Sequence, residues 1–420
     1  MMLSGCMSTG EGEAVSMFAM QKSPEKQAIA RQKEAANSPI ITDLQARRSV
    51  LPSGSPFAQV AGPVLEANSR AAESELKSAR LRAAAANKNW LPQIGPNISL
   101  TSLSDIVAQI IVEQVLFDNG RKKAERAFAK ADVEVAAVML ADDTNERVLT
   151  ALGLYLDVAE ARERVTLESR ALKDMQQFEW IMNERVKGGV SDMSDLNVIR
   201  SKLSEINANL ATQQEAAATA LAELNAMSTT PLNMVSGLTN LEVGMAQATP
   251  LAVLLAEAEK ERDIAAATME RAGLLPGLTA GGTLGDGGSG IGLNVSSDQL
   301  LGLGTGASLQ AIEATKEAAG RRVSQAQEDS NRNLSRLESR AGALARQVGE
   351  AAKLTALAKG NLDLFQQQYD AGQRQVMDVV GVYETFAARQ TAEVGLKYEL
   401  ALTRLELARA LGLLADGSEI

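Results

Sequence analysis

Two aspartates stand at the same distance from a glycine in two remote parts of the chain. Asp195 follows Gly189 and Asp378 follows Gly372, each with the spacing Gly-x5-Asp. Glycine tolerates the positive φ with which helices end, so we expect a helix to end at each glycine and a returning helix to begin near each aspartate. The helix dipole stabilises a carboxylate there by less than about 1 kcal/mol. The two carboxylates can therefore act through their negative charge, by attracting cations or repelling anions.

No group of residues predicts catalysis. The 420 residues contain no histidine, which excludes a catalytic triad in its usual form and makes most zinc chemistry a poor fit. The glycine-rich run 277–306 has no Gly-Lys-Ser/Thr ending, so we interpret it as strands and turns rather than a phosphate loop. A net charge of −10 argues against a nucleic-acid surface. We therefore predict no enzyme activity, no metal, no cofactor and no nucleic-acid partner.

The only cysteine, Cys6, closes the run Leu3-Ser4-Gly5-Cys6. That run has the form of a bacterial lipobox, in which the cysteine is lipidated, but a chance tetrapeptide in a leader is the alternative. Five preceding residues are too few for a charged segment followed by an apolar one of 7–15 residues. We therefore expect a longer signal peptide, export of the protein, and a lipid anchor at Cys6.

The chain repeats itself after about 180 residues. Leu91-Pro92 recurs as Leu275-Pro276, and Gly120 recurs as Gly304, both 184 residues later. The two Gly-x5-Asp patterns are 183 residues apart. Such constant offsets indicate a duplicated unit, far longer than a solenoid repeat of about 20 to 50 residues. We divide the chain into a signal-peptide remnant (1–6), an extended arm (7–63), a first repeat (64–230) and a second repeat (231–420).

Proline placement predicts very long helices. Residues 97–230 and 277–420 contain no proline, whereas the arm 7–63 holds five of the ten prolines in the chain. Because proline inside a helix costs about 3 kcal/mol, these stretches suit helices over about 118–187, 190–227, 305–371 and 374–412. We expect a shorter helix from about Val64 to Asn89. Within the arm we expect at most one short helix, near Glu25–Ala36.

The returning helices carry coiled-coil spacing. The seam of the first repeat is Leu196, Ile199, Leu203, Ile206, Leu210, Ala217, Ala220 and Leu224; that of the second, with looser spacing, is Val379, Val382, Phe386, Leu396, Leu400 and Leu407. Two strand-like segments precede each long helix, over about 93–117 and about 278–302. Ile291–Ser296 alternates apolar and polar residues, as a strand between lipid and lumen does. Because a lone hairpin is marginal, we expect these strands to pair with the other repeat or with other chains.

Three segments resemble the TolC-like outer-membrane efflux protein family. Trp90-Leu91-Pro92-Gln93-Ile94 is similar to the start of the family's first hairpin. Val115-Leu116-Phe117-Asp118-Asn119-Gly120-Arg121 is similar to the start of its first long helix, and the run Tyr369–Val379 to the helical tip of its second repeat. The resemblance covers about residues 64–414.

The resemblance implies a homotrimer with a 12-stranded β-barrel in the outer membrane of a Gram-negative bacterium and an α-helical tunnel in the periplasm. It implies a mostly α fold with a small β part, and as partners outer-membrane lipid, a periplasmic adaptor and an inner-membrane ABC or RND transporter. Lipoproteins occur in the family, which agrees with Cys6. The expected activity is a passive duct for efflux or type I secretion.

The resemblance also implies roles for the tips. Asp378 matches an acidic gate residue at the periplasmic entrance, with Asp195 as its equivalent in the first repeat. Some members carry a second acid where this chain has Gly381. The expected adaptor-docking residues, which also have to make the turns, are Gly188, Gly189, Val190, Ser191, Gly372, Gln373 and Arg374. The alternative to a channel is a coiled-coil scaffold of the periplasm or cytoplasm without membrane strands.

Overall fold

Eight helices and four strands make up the described part of the chain, which is residues 38–67, 71–102, 105–244, 248–285, 288–298 and 302–417 of a computed structural model. The helices are α1 Pro39–Ala46, α2 Pro56–Glu66, α3 Ala71–Ala86, α4 Arg121–Lys187, α5 Met193–Ala226, α6 Leu251–Gly273, α7 Thr305–Asp370 and α8 Val376–Ala410. The strands are β1 Gln93–Ser102, β2 Asp105–Phe117, β3 Gly277–Gly285 and β4 Gly288–Ser296. A mostly α fold with a small β part is confirmed.

Two helices set the length of the molecule. Helix α4 has 67 residues and α7 has 66. At a rise of about 1.5 Å per residue each is a rod of about 100 Å. Both start directly after a hairpin, and α5 and α8 then return along about half of that length. The duplicated order of hairpin, long helix, turn and returning helix is confirmed.

Each long helix has one set of neighbours near the sheet and another near the tip. In the half near the sheet, α4 contacts α3 and α6, and α6 contacts α7. In the half near the tip, α4 contacts α5 and α8, and α8 contacts α7. The tip half is therefore a layer with the order α5, α4, α8, α7, in which α5 and α7 are the two edges.

Both predicted seams are buried only in part, and in α5 the middle positions Ile206, Leu210, Ala217 and Ala220 are half-buried. Leu196, Ile199 and Leu203 are buried, and Leu224 is buried at the far end of α5. In α8 the predicted Leu396 and Leu400 are only half-buried. The buried positions of that stretch are instead Val394, Tyr398, Ala401 and Leu405. Helix α8 lies between α4 and α7, so two of its faces form contacts and a single seam does not describe it.

The four strands form one antiparallel sheet in the order β1, β2, β3, β4. Strands β2 and β3 belong to different repeats, and their pairing runs from Gln109 opposite Gly285 to Phe117 opposite Leu278. The expectation that the hairpins pair with the other repeat is confirmed. The outer strands of the sheet are β1 and β4.

The prediction of an extended arm is wrong for residues 38–63. Ser38 and Ser55 accept N-capping hydrogen bonds from Ile41 and Ala58, and the proline after each serine occupies the first helical turn of α1 and α2. The expected boundary between residues 63 and 64 lies inside α2, and the helix expected from Val64 to Asn89 is instead α2 followed by α3. The prolines start these helices because a missing N–H costs nothing at the first position.

The chain ends of the described region meet at a buried arginine. Arg47 is 6% exposed and donates to the backbone carbonyls of Leu411 and Thr249, at 2.7 Å each. It also forms an ion pair with Asp43 at 2.7 Å. Val50 N–H donates to the Leu413 carbonyl at 2.9 Å. The segment after α1 is therefore bonded to the segment after α8, in the middle of the long helices.

The repeats are not conformationally identical. Gly120, before α4, has a φ of 86°, whereas Gly304, before α7, has a φ of −83°. The sequence repeat predicts that these glycines are equivalent, but only Gly120 uses the left-handed region. Here the junction between sheet and helix differs between the two repeats.

Candidate functional site: helical tips and apolar sheet face

Both helical tips are closed by the same backbone motif. Gly189 has a φ of 71° and donates its N–H to the Val186 carbonyl at 3.0 Å, while Val190 N–H reaches the Arg185 carbonyl at 2.8 Å. These are the two hydrogen bonds of a Schellman motif. At the other tip Gly372, with a φ of 75°, and Gln373 form the same two bonds to Tyr369 and Gln368, at 2.8 Å each. Gly189 and Gly372 are therefore the turning points of the two hairpins of helices.

The polar side chains of the tips are tied back to the preceding helices. Arg185 Nε donates to Ser191 Oγ at 3.0 Å. Arg374 Nε donates to Gln368 Oε1 at 3.0 Å, and its guanidinium carbon lies 4.5 Å from the centre of the Phe365 ring. Gly188 and Val190 are exposed, Val190 to 66%. The tip thus presents an apolar side chain at one turn and a positioned guanidinium at the other.

The two aspartates lie in the first turns of the returning helices. Asp378 forms a capping box with Gln375, whose backbone N–H donates to Asp378 Oδ2 at 3.2 Å. Asp378 is exposed and Asp195 is half-buried. Gly381, one turn after Asp378, is exposed as well. The structure therefore gives Asp378 a capping role and leaves its second carboxylate oxygen available.

One hydrophobic core joins both tips. It contains Met182 of α4, Leu196 and Ile199 of α5, and Val376 and Val379 of α8. Leu196 follows Asp195 and Val379 follows Asp378, so the shared core brings both aspartates to the same end of the molecule. The packing of this core is therefore the physical reason that the two Gly-x5-Asp patterns lie close together.

Two tyrosines of α8, Tyr383 within this core and Tyr398 farther along the helix, form hydrogen bonds to α4 that seam spacing does not predict. Tyr383 donates to Asp174 Oδ2 at 2.9 Å, and Tyr398 donates to Glu163 Oε2 at 2.9 Å. Lys397 Nζ adds an ion pair to Glu163 at 2.7 Å. Burial and these hydrogen bonds raise the pKa of Tyr383 and of Tyr398 above the usual range, so both phenols remain donors. A tyrosine within an apolar seam indicates that its hydroxyl needs a buried partner, but it does not identify that partner.

The sheet has one face of exposed apolar side chains. One row of paired residues crosses all four strands: Ile94, Val112, Gly282 and Ile291. The exposed fractions are 72% for Ile94, 96% for Ile291 and 71% for Leu293. Further exposed members of this face are Ile98, Ile110, Leu284 and Val295. In the isolated chain, no other part of the described protein covers this apolar surface.

The opposite face of the sheet is mostly polar. Asn97 pairs with Gln109, Glu113 with Gly281, and Thr279 with Asn294. Alternation along a strand separates the two faces, and the antiparallel register keeps them aligned across the sheet. The alternation predicted for Ile291–Ser296 also holds in β1 and β3, whereas in β2 the apolar Ile111 and Val115 lie on the polar face. Trp90 and Phe117, exposed to 61% and 58%, flank the ends of β1 and β2 near the helices.

None of the helices in the described ranges has the combined length and apolarity that crossing a membrane requires. Cys6 lies outside the described residues.

Solved structures share this architecture. A membrane protein from Pseudomonas aeruginosa superposes with a TM-score of 0.73 and 16% identity, over 89% of this chain and 93% of that one. The CmeC outer membrane channel of Campylobacter jejuni gives 0.71 and 13%, over 87% of each chain. The outer membrane protein VceC of Vibrio cholerae gives 0.68 and 15%, over 92% and 96%. No protein-family model and no curated protein matches the sequence.

The chain therefore has the fold of outer-membrane channel proteins, over nearly its whole length. This is the fold that the resemblance to the TolC-like family implies.

Proposed function

We propose that the protein is one subunit of a homotrimeric exit duct across the outer membrane and the periplasm of a Gram-negative bacterium. In this proposal three four-stranded sheets close a 12-stranded barrel, and the long helices form a periplasmic tunnel of about 100 Å. The duct serves efflux or type I secretion, is opened by a periplasmic adaptor and is fed by an inner-membrane ABC or RND pump. Cys6 supplies a lipid anchor in the same membrane.

The observation that carries this proposal is the apolar face of the sheet. Ile94, Ile291 and Leu293 each expose more than two thirds of their surface in the isolated chain. Contiguous apolar surface of this kind needs a cover, and a polar opposite face suits a water-filled lumen. A coiled-coil scaffold without membrane strands would leave this apolar face of the sheet exposed to water. The fold shared with outer-membrane channels supports the same assignment.

Membrane fractionation followed by detergent extraction tests the proposal. The protein is expected in the outer-membrane fraction, to require detergent for release, and to have the mass of three chains in detergent. Reconstituted into planar lipid bilayers, it should conduct ions. A protein that is released by salt alone, or that is monomeric in every detergent, would contradict the proposal.

We propose the two tips as the adaptor-docking surface, with Arg374 as its charged member. Arg374→Glu replaces the guanidinium over Phe365 by a carboxylate, which keeps the turn but reverses the charge presented to a partner. Adaptor-dependent export is expected to fall about tenfold, as for loss of a charged contact at an interface. The trimer should persist. Export at the level of the unmodified protein would exclude Arg374 from docking, and Arg374→Lys is the matched control that retains the charge.

We further propose that Asp378, with Asp195, lines a cation-selective constriction at the tip end. Asp378→Asn removes the charge but keeps an acceptor for the Gln375 N–H, so the capping box survives. In planar bilayers the preference for K⁺ over Cl⁻ is expected to fall about threefold, because rings of acidic side chains select cations. The double variant with Asp195→Asn should fall further. Unchanged selectivity in the double variant would leave Asp378 with its capping role only.

A further inference from the structure

The tip half of the molecule ends in two uncovered helices. In the layer α5, α4, α8, α7, the inner helices α4 and α8 contact neighbours on both sides, whereas α5 and α7 are its edges. The seam of α5 that contains Leu196, Ile199 and Leu203 faces α4. The opposite sides of both edge helices are free for contact with another molecule.

The free side of α5 has its own regular spacing, in alternating steps of three and four. All of its members are exposed, and all but one are small: Ser201, Ser204, Ala208, Ala211, Glu215, Ala218 and Ala222. Spacing of this kind keeps side chains in one line along a helix that packs in a coiled coil. Small side chains allow a second helix to approach closely. Glu215 is the only charged residue of this line.

The free side of α7 has the same character. Its exposed line, again with steps of three and four, is Ser335, Ser339, Gly342, Arg346, Gly349, Lys353, Ala356 and Gly360. The buried residues of α7, such as Leu337, Leu344 and Leu362, lie on the other side of the helix. The charges of this line are positive.

One charged residue on each line lies at the same distance from its tip, and the two residues have opposite charges. Glu215 lies as many residues after the tip glycine Gly189 as Arg346 lies before the tip glycine Gly372. With equal rise per residue, both side chains are about 39 Å from their tips. The helices run in opposite directions, α5 away from the tip and α7 toward it. The charged residues of the two lines therefore lie at the same height above the tips.

The ends of the two lines nearest the tips match as well. Ser201 is the first member of the α5 line after Gly189, and Gly360 is the last member of the α7 line before Gly372. These two residues are equally far along the chain from their tip glycines. The lines therefore begin together at the tips and stay level up to the charged pair.

The surroundings of the two charged residues add to this complementarity. Glu215 lines a groove between α5 and α4 together with the acids Asp157, Glu160 and Glu223 and a single base, Arg164. Arg346 lines another groove together with Arg389 and a single acid, Glu350. Among the described residues, neither Glu215 nor Arg346 has a hydrogen bond or an ion pair. The groove beside α5 is thus mainly acidic, and the groove beside α7 is mainly basic.

We propose that α5 of one copy packs antiparallel against α7 of the next copy along these two lines, with the carboxylate of Glu215 paired to the guanidinium of Arg346 of the neighbouring copy. The partner is a second copy of this chain, and the inference rests on the proposed trimeric duct. The two small-residue lines set the distance between the helices. The charge pair sets their relative height, since unpaired charges in a partly desolvated contact oppose any other register.

Paired cysteines test the register of the two helices. Ala218 and Gly342 lie at nearly equal sequence separation from their tip glycines, so Ala218→Cys with Gly342→Cys places two thiols opposite each other. An added Cβ at Gly342 meets only Arg346 Nη1, at 3.8 Å. Helices α4 and α8 separate the two sites within one chain, so any disulfide joins different copies. Oxidation in detergent is expected to convert most of the protein into a covalent trimer.

In the matched control, one of the two cysteines is placed seven residues farther along the same line of α7. Ala218→Cys with Gly349→Cys displaces the second cysteine by about 10 Å, which exceeds the Cα separation of about 7 Å that a disulfide tolerates. This pair, and each single-cysteine variant, should yield little covalent trimer. The single variants also report any crosslink through Cys6. Equal crosslinking by both pairs, or preference for the shifted pair, would overturn the proposed register.

Charge reversal tests the pair itself. Glu215→Arg and Arg346→Glu are each expected to lower the trimer fraction about tenfold at fixed protein and detergent concentration, because like charges then meet in each contact. The double reversal should restore the trimer. If all three variants form as much trimer as the unmodified protein, the charge pair is wrong, but the proposed duct is not contradicted. If the unmodified protein forms no trimer, the proposed function itself is wrong, and this inference with it.

Discussion

Leu293→Arg is expected to abolish the detergent-extracted, membrane-inserted trimer. Leu293 lies in β4 opposite Ala280 and is 71% exposed on the apolar face of the sheet. In the proposed barrel this face contacts lipid, where an arginine near the membrane midplane costs about 2 to 4 kcal/mol. A closed trimer carries the cost three times. Outer-membrane fractionation should show the variant lost from the membrane or degraded.

The neighbouring residue provides the control. Asn294 pairs with Thr279 on the opposite face of the same strand, so Asn294→Arg adds the same charge to the proposed lumen. This variant should insert and trimerise like the unmodified protein. If Asn294→Arg is lost and Leu293→Arg inserts, the two faces are assigned the wrong way round. If both insert equally well, the apolar face does not contact lipid.

Phe57→Ala is expected to destabilise the protein by about 3 to 5 kcal/mol, the usual cost of removing a fully buried phenylalanine side chain. Phe57 in α2 is 0% exposed, and its ring packs edge-on against Tyr155 with a centroid distance of 6.1 Å. The same core contains Val60, Leu152 and Leu405. The midpoint of thermal loss of the helical circular-dichroism signal in detergent should fall clearly below that of the unmodified protein.

An exposed leucine serves as the reference for this measurement. Leu81 in α3 is 64% exposed in the chain, so Leu81→Ala should change stability by no more than about 0.5 kcal/mol. Equal midpoints for Phe57→Ala and the unmodified protein would mean that α2 is not part of the cooperative core.

The long helices and the sheet were predictable because their signals are local and sustained. Proline-free stretches of more than a hundred residues and the regular spacing from Leu196 to Leu224 identify α4, α5 and α7 as long helices. The alternation of Ile291–Ser296 identifies β4. The helices α1 and α2 were missed because proline counts against a helix in its interior and favours one at its start, and only the preceding Ser38 and Ser55 distinguish the two cases.

The tips were predictable as turns and less so as a site. Gly189 and Gly372 indicate the change of direction, but the bond between Asp378 and Gln375 and the position of Arg374 over Phe365 depend on side-chain geometry that spacing does not contain. The bonds of Tyr383 to Asp174 and of Tyr398 to Glu163 join residues more than 200 positions apart. A single sequence carries no signal for contacts at such separation.

The pairing of β2 with β3 has a consequence for how copies assemble. Because this pairing is internal, each chain keeps two unlike sheet edges, β1 on one side and β4 on the other. Contacts between copies are then head-to-tail, so a pair of chains still exposes one edge of each kind, and only a closed ring leaves none. In the proposed trimer, assembly intermediates therefore keep two unpaired strand edges until the third chain joins, so ring closure is the step that removes the edges prone to aggregation.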